Sequence, residues 1–122
     1  MIKIYYNSSN HSSQKAIKWF EAKGLEVSIK KIKQISKEDL VYILFLSNNG
    51  FEDIYKRNVR IYFKKHMEKM DKMDFNDTVD FILKHTELLK TPILIDKNKL
   101  MIGFNAEEIR KFIPKNHRKY RE

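Results

Sequence analysis

Residues 2–6, Ile-Lys-Ile-Tyr-Tyr, alternate apolar and polar positions and are rich in β-branched and aromatic side chains, which predicts a strand. The next seven residues, Asn7 to Ser13, are small or polar, and their side chains compete for local backbone hydrogen bonds. They therefore predict a turn and the cap of a helix. From Gln14 to Lys23 the apolar positions Ala16, Ile17, Trp19, Phe20 and Ala22 follow helical spacing, and Gly24 stands where a helix end commonly needs positive φ. Leu25-Glu26-Val27-Ser28-Ile29 alternates again and predicts a second strand. The opening forty residues then make a β-α-β unit with parallel strands, because the crossover is a helix and not a tight turn.

The period changes after Ile35. Ser36 followed by Asp39 makes a helix start of the capping-box type, and Leu40, Ile43, Leu44 and Leu46 supply a helical stripe that ends at Asn48-Asn49-Gly50. Residues 51–56, 59–70 and 77–85 continue in three-to-four spacing, with Val59, Tyr62, Phe63, Val79 and Leu83 as the expected buried faces. Pro92 stops helical propagation, and Ile93-Leu94-Ile95 behind it is the short apolar run of a buried strand. Asp96-Lys97-Asn98-Lys99 turns the chain, and Leu100-Met101-Ile102-Gly103 returns as an antiparallel partner. Asn105, with Glu108 three residues on, caps a last helix carrying Ile109, Phe112 and Ile113, which ends at Pro114. Residues 115–122 are basic without apolar periodicity and are expected to form a mobile tail. No repeat or low-complexity linker divides the chain, so a single α/β domain over 1–122 is expected, with a helical insertion at about 36–90.

Composition narrows the chemistry. The 122 residues include 25 Lys and Arg against 16 Asp and Glu, a formal charge of +9, which favours polyanions or an acidic protein surface as company. Cysteine is absent, which removes disulfides, thiolate catalysis and thiolate-bound zinc. No apolar run approaches the roughly 20 residues that cross a bilayer, and MIKIYYNSS lacks the long apolar stretch of a secretory signal. A cytoplasmic protein without membrane contact is expected.

The order β-α-β, helices, β-β-α, with a polar loop before the first helix and a proline before the third strand, resembles the thioredoxin-like fold of the arsenate reductase and Spx family. The resemblance rests on IYYNSSNHSSQKA, NNGFEDIYKRNVR, LLKTPILID and IGFNAEEIRKFIP, which stand in family order. The family carries a reactive cysteine in the loop before helix one and a cysteine or serine three residues on; those positions here are Asn10 and Ser13. An amide or a hydroxyl forms no thiolate, so arsenate reduction and thiol switching both lack their nucleophile. The arginine that family members place before the proline is Thr91, and the resemblance implies that Pro92 is a cis proline with an architectural role.

The Spx branch regulates transcription by gripping the C-terminal domain of the RNA polymerase α subunit through a glycine and basic residues after helix two. Gly50 falls on that glycine and Arg60 on one basic position, while a second family arginine aligns with Asn58, beside Lys56 and Arg57. The resemblance thus implies a non-enzymatic, Spx-like regulator that docks through Gly50, Lys56, Arg57 and Arg60, is monomeric when free, needs no cofactor and has no cysteine switch. A second reading is a catalytically inactive arsenate-reductase-like protein that binds an anion or small partner at residues 7–13. A third is a general basic nucleic-acid binder.

Each constellation has a plainer reading. Asn7 to Ser13 can attract an anion to helix-start amides or can simply cap the helix. Lys56, Arg57, Arg60, Lys64 and Lys65 can meet an acidic partner or form a solvated face. The basic tail can add nonspecific contact with promoter DNA or serve solubility. His11 beside Ser12 and Ser13 lacks an orienting acid at a recognisable spacing, and His66, His85 and His117 lack the spacing of a metal-binding helix, so no metal is expected. Trp19, Phe20, Phe63, Phe81 and Phe112 lie in apolar helical stripes and read as core.

Overall fold

A computed structural model describes residues 1–115; residues 116–122, which hold most of the expected mobile tail and His117, lie outside the described residues. Four strands, β1 (Ile2–Tyr6), β2 (Val27–Lys31), β3 (Ile93–Asp96) and β4 (Lys99–Ile102), form one sheet in the order β2-β1-β3-β4. β1 pairs parallel with β2, in register Ile4 to Ile29, and antiparallel with β3, in register Ile4 to Leu94. β3 and β4 form the expected hairpin, with Leu94 opposite Met101.

Both faces of the sheet are covered, so alternate residues of the central strands enter two different cores. Ile2 and Ile4 of β1 and Leu94 of β3 pack against Ala16 and Phe20 of helix α1 (His11–Lys23) and against Ile109 and Phe112 from the end of the described chain. Tyr5, Ile93 and Ile95 point the other way, into the larger core built by the helices between β2 and β3. Those helices are α2 (Lys37–Leu46), α3 (Phe51–Ile54), α4 (Val59–Tyr62), α5 (Lys64–Met70) and α6 (Phe75–Lys84).

The element ends follow local chemistry. Gly24 takes φ +65 and its N–H donates to the Glu21 and Phe20 carbonyls, closing α1 in the left-handed turn that a Cβ would disfavour. Leu25 N–H also returns to the Phe20 carbonyl, at 3.2 Å. That bond keeps Leu25 in the helix cap, so β2 begins at Val27, two residues later than the alternation from Leu25 suggests. Ser36 Oγ accepts from Asp39 N–H at 3.1 Å and caps α2, and Asp74 Oδ1 accepts from Asp77 N–H at 2.8 Å and caps α6.

Three helical expectations change. The segment 59–70 is two short helices, because Phe63 leaves helical geometry at φ −124 and ψ 41. That break turns Tyr62 outward, to 76% exposure, instead of into the core, whereas Val59 is buried and Phe63 packs partly against the core. On α6 the fully buried positions are Val79 and Ile82, with Leu83 only partly covered. The last helix is a 3₁₀ segment, Glu108–Phe112, with i→i−3 bonds from Arg110 N–H to the Glu107 carbonyl and from Ile113 N–H to the Arg110 carbonyl; Asn105 Oδ1 caps its start by accepting from the N–H groups of Glu107 and Glu108, at 2.9 and 2.8 Å.

One polar node ties the sheet to the helices. The buried Tyr5 hydroxyl donates to the Asp39 carboxylate at the start of α2, and Lys3 Nζ reaches the same carboxylate at 3.1 Å. Burial, reinforced by the hydrogen bond and charge of Asp39, pushes the Tyr5 phenol up to about 12; burial and the Glu52 charge do the same to Tyr55, also to about 12. Unfolded tyrosine titrates near 10. The protonated form is therefore favoured by folding, and its contribution is complete below pH 10 and lost as pH rises toward 12. Urea titrations should show unfolding free energy falling through that window by at most about 1.4 kcal/mol per pH unit for each of the two protons. Tyr55→Phe should make the fall shallower; an equal slope in that variant would contradict the assignment.

Candidate functional site

The loop between β1 and α1 is closed by its own hydrogen bonds. Asn10 has extended backbone, φ −102 and ψ 121, and its side-chain oxygen accepts from Ser13 N–H at 2.8 Å. Asn10 N–H donates to the Asn7 carbonyl at 3.0 Å, and Asn7 N–H donates to Ser13 Oγ at 3.2 Å. Asn7 Oδ1 accepts from Ser9 N–H at 3.1 Å and from Ser9 Oγ at 2.9 Å. Ser13 is fully buried. Both positions of interest are thus employed in shaping the loop: Asn10 is the cap of α1, and Ser13 holds Asn7 at the end of β1.

Thr91 is 7% exposed and precedes Pro92 across a cis peptide bond. The Pro92 carbonyl accepts from Gly103 N–H at 2.7 Å, joining this turn to the end of β4. A cavity of about 600 Å³ lies over the loop, lined by Asn10, Ser12, Thr91, Lys56, Arg57 and Lys90 among others. Lys56 and Arg57 therefore share a concave wall with the loop. They are set there by two strand-like contacts: Lys56 N–H donates to the Leu88 carbonyl and Lys90 N–H to the Ile54 carbonyl, both at 2.9 Å, on either side of the Tyr55–Leu89 bridge.

Gly50 and Arg60 belong to a different set of contacts. Gly50 precedes α3 at φ +62 and ψ −130, a region essentially reserved for glycine, and a Cβ there would meet nothing within 4 Å. The turn before it is fixed by Asp53, whose carboxylate accepts from Asn49 N–H at 2.9 Å and is held below the usual carboxylate range by that bond. Arg60 Nη2 contacts Glu52 at 2.7 Å and Nη1 contacts Asp71 at 3.0 Å, so one guanidinium on α4 joins α3 to the end of α5. Those carboxylates raise its already high pKa further.

The basic run from Lys56 to Lys65 suggests an available cation at Arg60, but in the fold its charge is balanced by Glu52 and Asp71. Neither carboxylate stands at helical spacing from it, which is why the pairing is invisible without the fold. The apolar neighbours of Arg60 are not marked by the helical spacing: Ile61 is 73% exposed beside Tyr62. Two histidines far apart in sequence come together in the fold. His66 of α5 and His85 at the end of α6 meet with ring centroids 4.6 Å apart, and His85 Nδ1 lies 3.5 Å from Glu87 Oε2. Among the described residues no helix is long and apolar enough to cross a membrane.

Known proteins resemble the chain along nearly its whole length. The ArsC family matches residues 5–112. The Global transcriptional regulator Spx of Streptococcus agalactiae is 31% identical over 121 residues, covering 98% of this chain and 88% of that protein. Its Streptococcus pyogenes counterpart is 30% identical, covering 98% and 90%. Among solved structures, an ArsC family related protein from Bacteroides fragilis superposes with a TM-score of 0.73 at 20% identity, covering 90% of this chain and 95% of the other. An arsenate reductase from Vibrio cholerae does so with 0.72 at 17% identity, covering 92% and 97%. The four-stranded mixed sheet with its helices is accordingly the thioredoxin-like fold of ArsC proteins.

Because Asn10 acts as a cap, Asn10→Ala should lower stability by about 1 kcal/mol, and Asn10→Asp should restore it, since a carboxylate both accepts the Ser13 N–H and favours the helix start. Chemical denaturation checks this; an unchanged midpoint in Asn10→Ala would mean that the cap carries no weight.

Proposed function

The chain belongs to the ArsC family, and from that premise we propose that it is a non-enzymatic, Spx-like transcription regulator that docks on the C-terminal domain of the RNA polymerase α subunit. The observation that carries this reading is the loop: where the resemblance implies a reactive cysteine and its partner, Asn10 and Ser13 are a helix cap and a buried loop anchor. Neither supplies a nucleophile for oxyanion reduction or a sulfur for a disulfide. A fold of this kind without thiol chemistry acts through the surface it displays. The named relatives, regulators covered to about nine-tenths of their length, favour transcription as the setting.

The docking face in this reading centres on Gly50 and Arg60, with Ile61 and Tyr62 as its apolar part. Exposed aromatic and aliphatic side chains beside an arginine have the composition of interface centres. Gly50 leaves open space for an approaching backbone. Arg60 can exchange its two exposed carboxylates for a partner's at little cost, because surface ion pairs are worth only about 0–1 kcal/mol. Lys56 and Arg57 contribute positive potential from the neighbouring cavity wall. Promoter DNA contact through basic surface is a secondary, salt-dependent part of the same proposal, and a cytoplasmic setting goes with it.

A specific observation favours a second reading. Three cationic residues, Lys56, Arg57 and Lys90, line the cavity with Asn10 and Thr91 and outnumber its one carboxylate, Glu108, which suits an oxyanion held without reaction. Phosphate-dependent shifts of the Asn10 and Ser13 amides in NMR spectra, lost in Arg57→Glu, would support it.

Titration of the protein with purified α C-terminal domain at physiological salt should give one-to-one binding that Arg60→Glu and Gly50→Arg each weaken at least about 10-fold, or about 1.4 kcal/mol. Gly50→Ala carries the same backbone strain with little bulk and separates steric blocking from misfolding. Absent binding, or binding indifferent to both substitutions, would remove the proposal.

A further inference from the structure

We propose that His66, His85 and Glu87 form a binding site for one divalent ion of the zinc class, with three protein ligands and an open fourth position. Their nearest ligand atoms all lie within 4.8 Å of one another. Zinc bonds to imidazole nitrogen and carboxylate oxygen run roughly 2.0–2.2 Å, which places tetrahedral ligand atoms a little over 3 Å apart. The His85 Nδ1 to Glu87 Oε2 separation, 3.5 Å, already has that spacing. The wider separations, within 4.8 Å, involve His66, so closing the site takes small rotations of the His66 ring together with the exposed Glu87 side chain.

Aromatic neighbours hold the two imidazole rings. His66 stacks on Phe63 with centroids 6.2 Å apart and meets Phe81 edge-on at 5.4 Å, while His85 lies 4.4 Å from Phe81. Both imidazoles are half-buried, so their orientation is limited by packing before any ion arrives. Two imidazoles with one carboxylate form a nitrogen-rich donor set that prefers zinc, cobalt or nickel to magnesium or calcium.

An ion there would join α5 to the turn after α6. That turn also supplies the Leu88 carbonyl that receives Lys56 N–H. Metal occupancy would therefore brace the backbone behind Lys56 and Arg57, giving a chain without cysteine a means of responding to its chemical surroundings. The binding site itself stands independently of the docking reading.

The test uses the full chain, stripped with chelator and titrated with Co²⁺, whose visible absorption reports low-coordinate nitrogen and oxygen ligation, and then with Zn²⁺ as competitor. One saturable equivalent is expected, displaced by Zn²⁺, with the thermal unfolding midpoint raised by several degrees. His66→Gln and Glu87→Gln should each weaken binding at least about 10-fold. Circular dichroism checks that the variants fold; should His66→Gln not fold, Glu87→Gln decides, because its side chain is exposed. No saturable band, or the same affinity and stoichiometry in the folded variants as in the parent, would overturn the proposal and leave the three residues as part of an aromatic cluster only.

Discussion

The bond from Ser13 N–H to the Asn10 side chain decides the character of this molecule. A helix start presents unpaired N–H groups and a partial positive charge, which a thiolate or a bound anion can satisfy. Here a neutral amide oxygen on the chain itself satisfies one of those donors, and the Ser13 hydroxyl turns back to the Asn7 N–H. The loop gains local stability from these neutral contacts. The end of β1 is fastened to the first turn of α1 by uncharged groups, so the junction does not depend on an ionisable residue.

From that junction the rest of the structure divides by the alternation of β1. Ile2 and Ile4 serve the α1 side, and Tyr5 serves the helical side, where its hydroxyl fixes the start of α2 through Asp39. The short helices beyond α2 then display two surfaces of different kind. One is a concave wall carrying Lys56, Arg57 and Lys90 over the polar loop. The other is an exposed patch in which Arg60 is balanced by Glu52 and Asp71, leaving Ile61 and Tyr62 as its apolar exposure. The net charge of +9 is thus not spread evenly over the candidate contacts. An acidic partner would feel the wall by potential, whereas the patch offers shape and apolar area.

The strands and the first two helices were legible because their signals are local. Alternation marked β1, spacing and Gly24 bounded α1, and Ser36 announced α2. The polar stretch 7–13 was legible as a turn and cap, but which residue caps was not: Asn10 takes that place only once Ser13 N–H is seen to donate to its side chain. What was not legible depends on contacts far apart in sequence. The break at Phe63 reverses the direction of Tyr62, although the apolar spacing of 59–70 runs through it. The pairing of Arg60 spans eight residues one way and eleven the other, and the meeting of His66 with His85 needs α5 and α6 in place. The final helix, read from a cap and three apolar residues, winds as 3₁₀, with Arg110 N–H bonded to the Glu107 carbonyl and Ile113 N–H to the Arg110 carbonyl, three residues back in each case.

Arsenate reduction by the purified chain, supplied with thiol and a reductase system, is the most direct measure of whether the Asn10 and Ser13 loop is chemically silent. Turnover indistinguishable from a reaction without protein is the predicted result. Turnover that rises in proportion to the protein and is lost when Asn10 or Ser13 is replaced would contradict it.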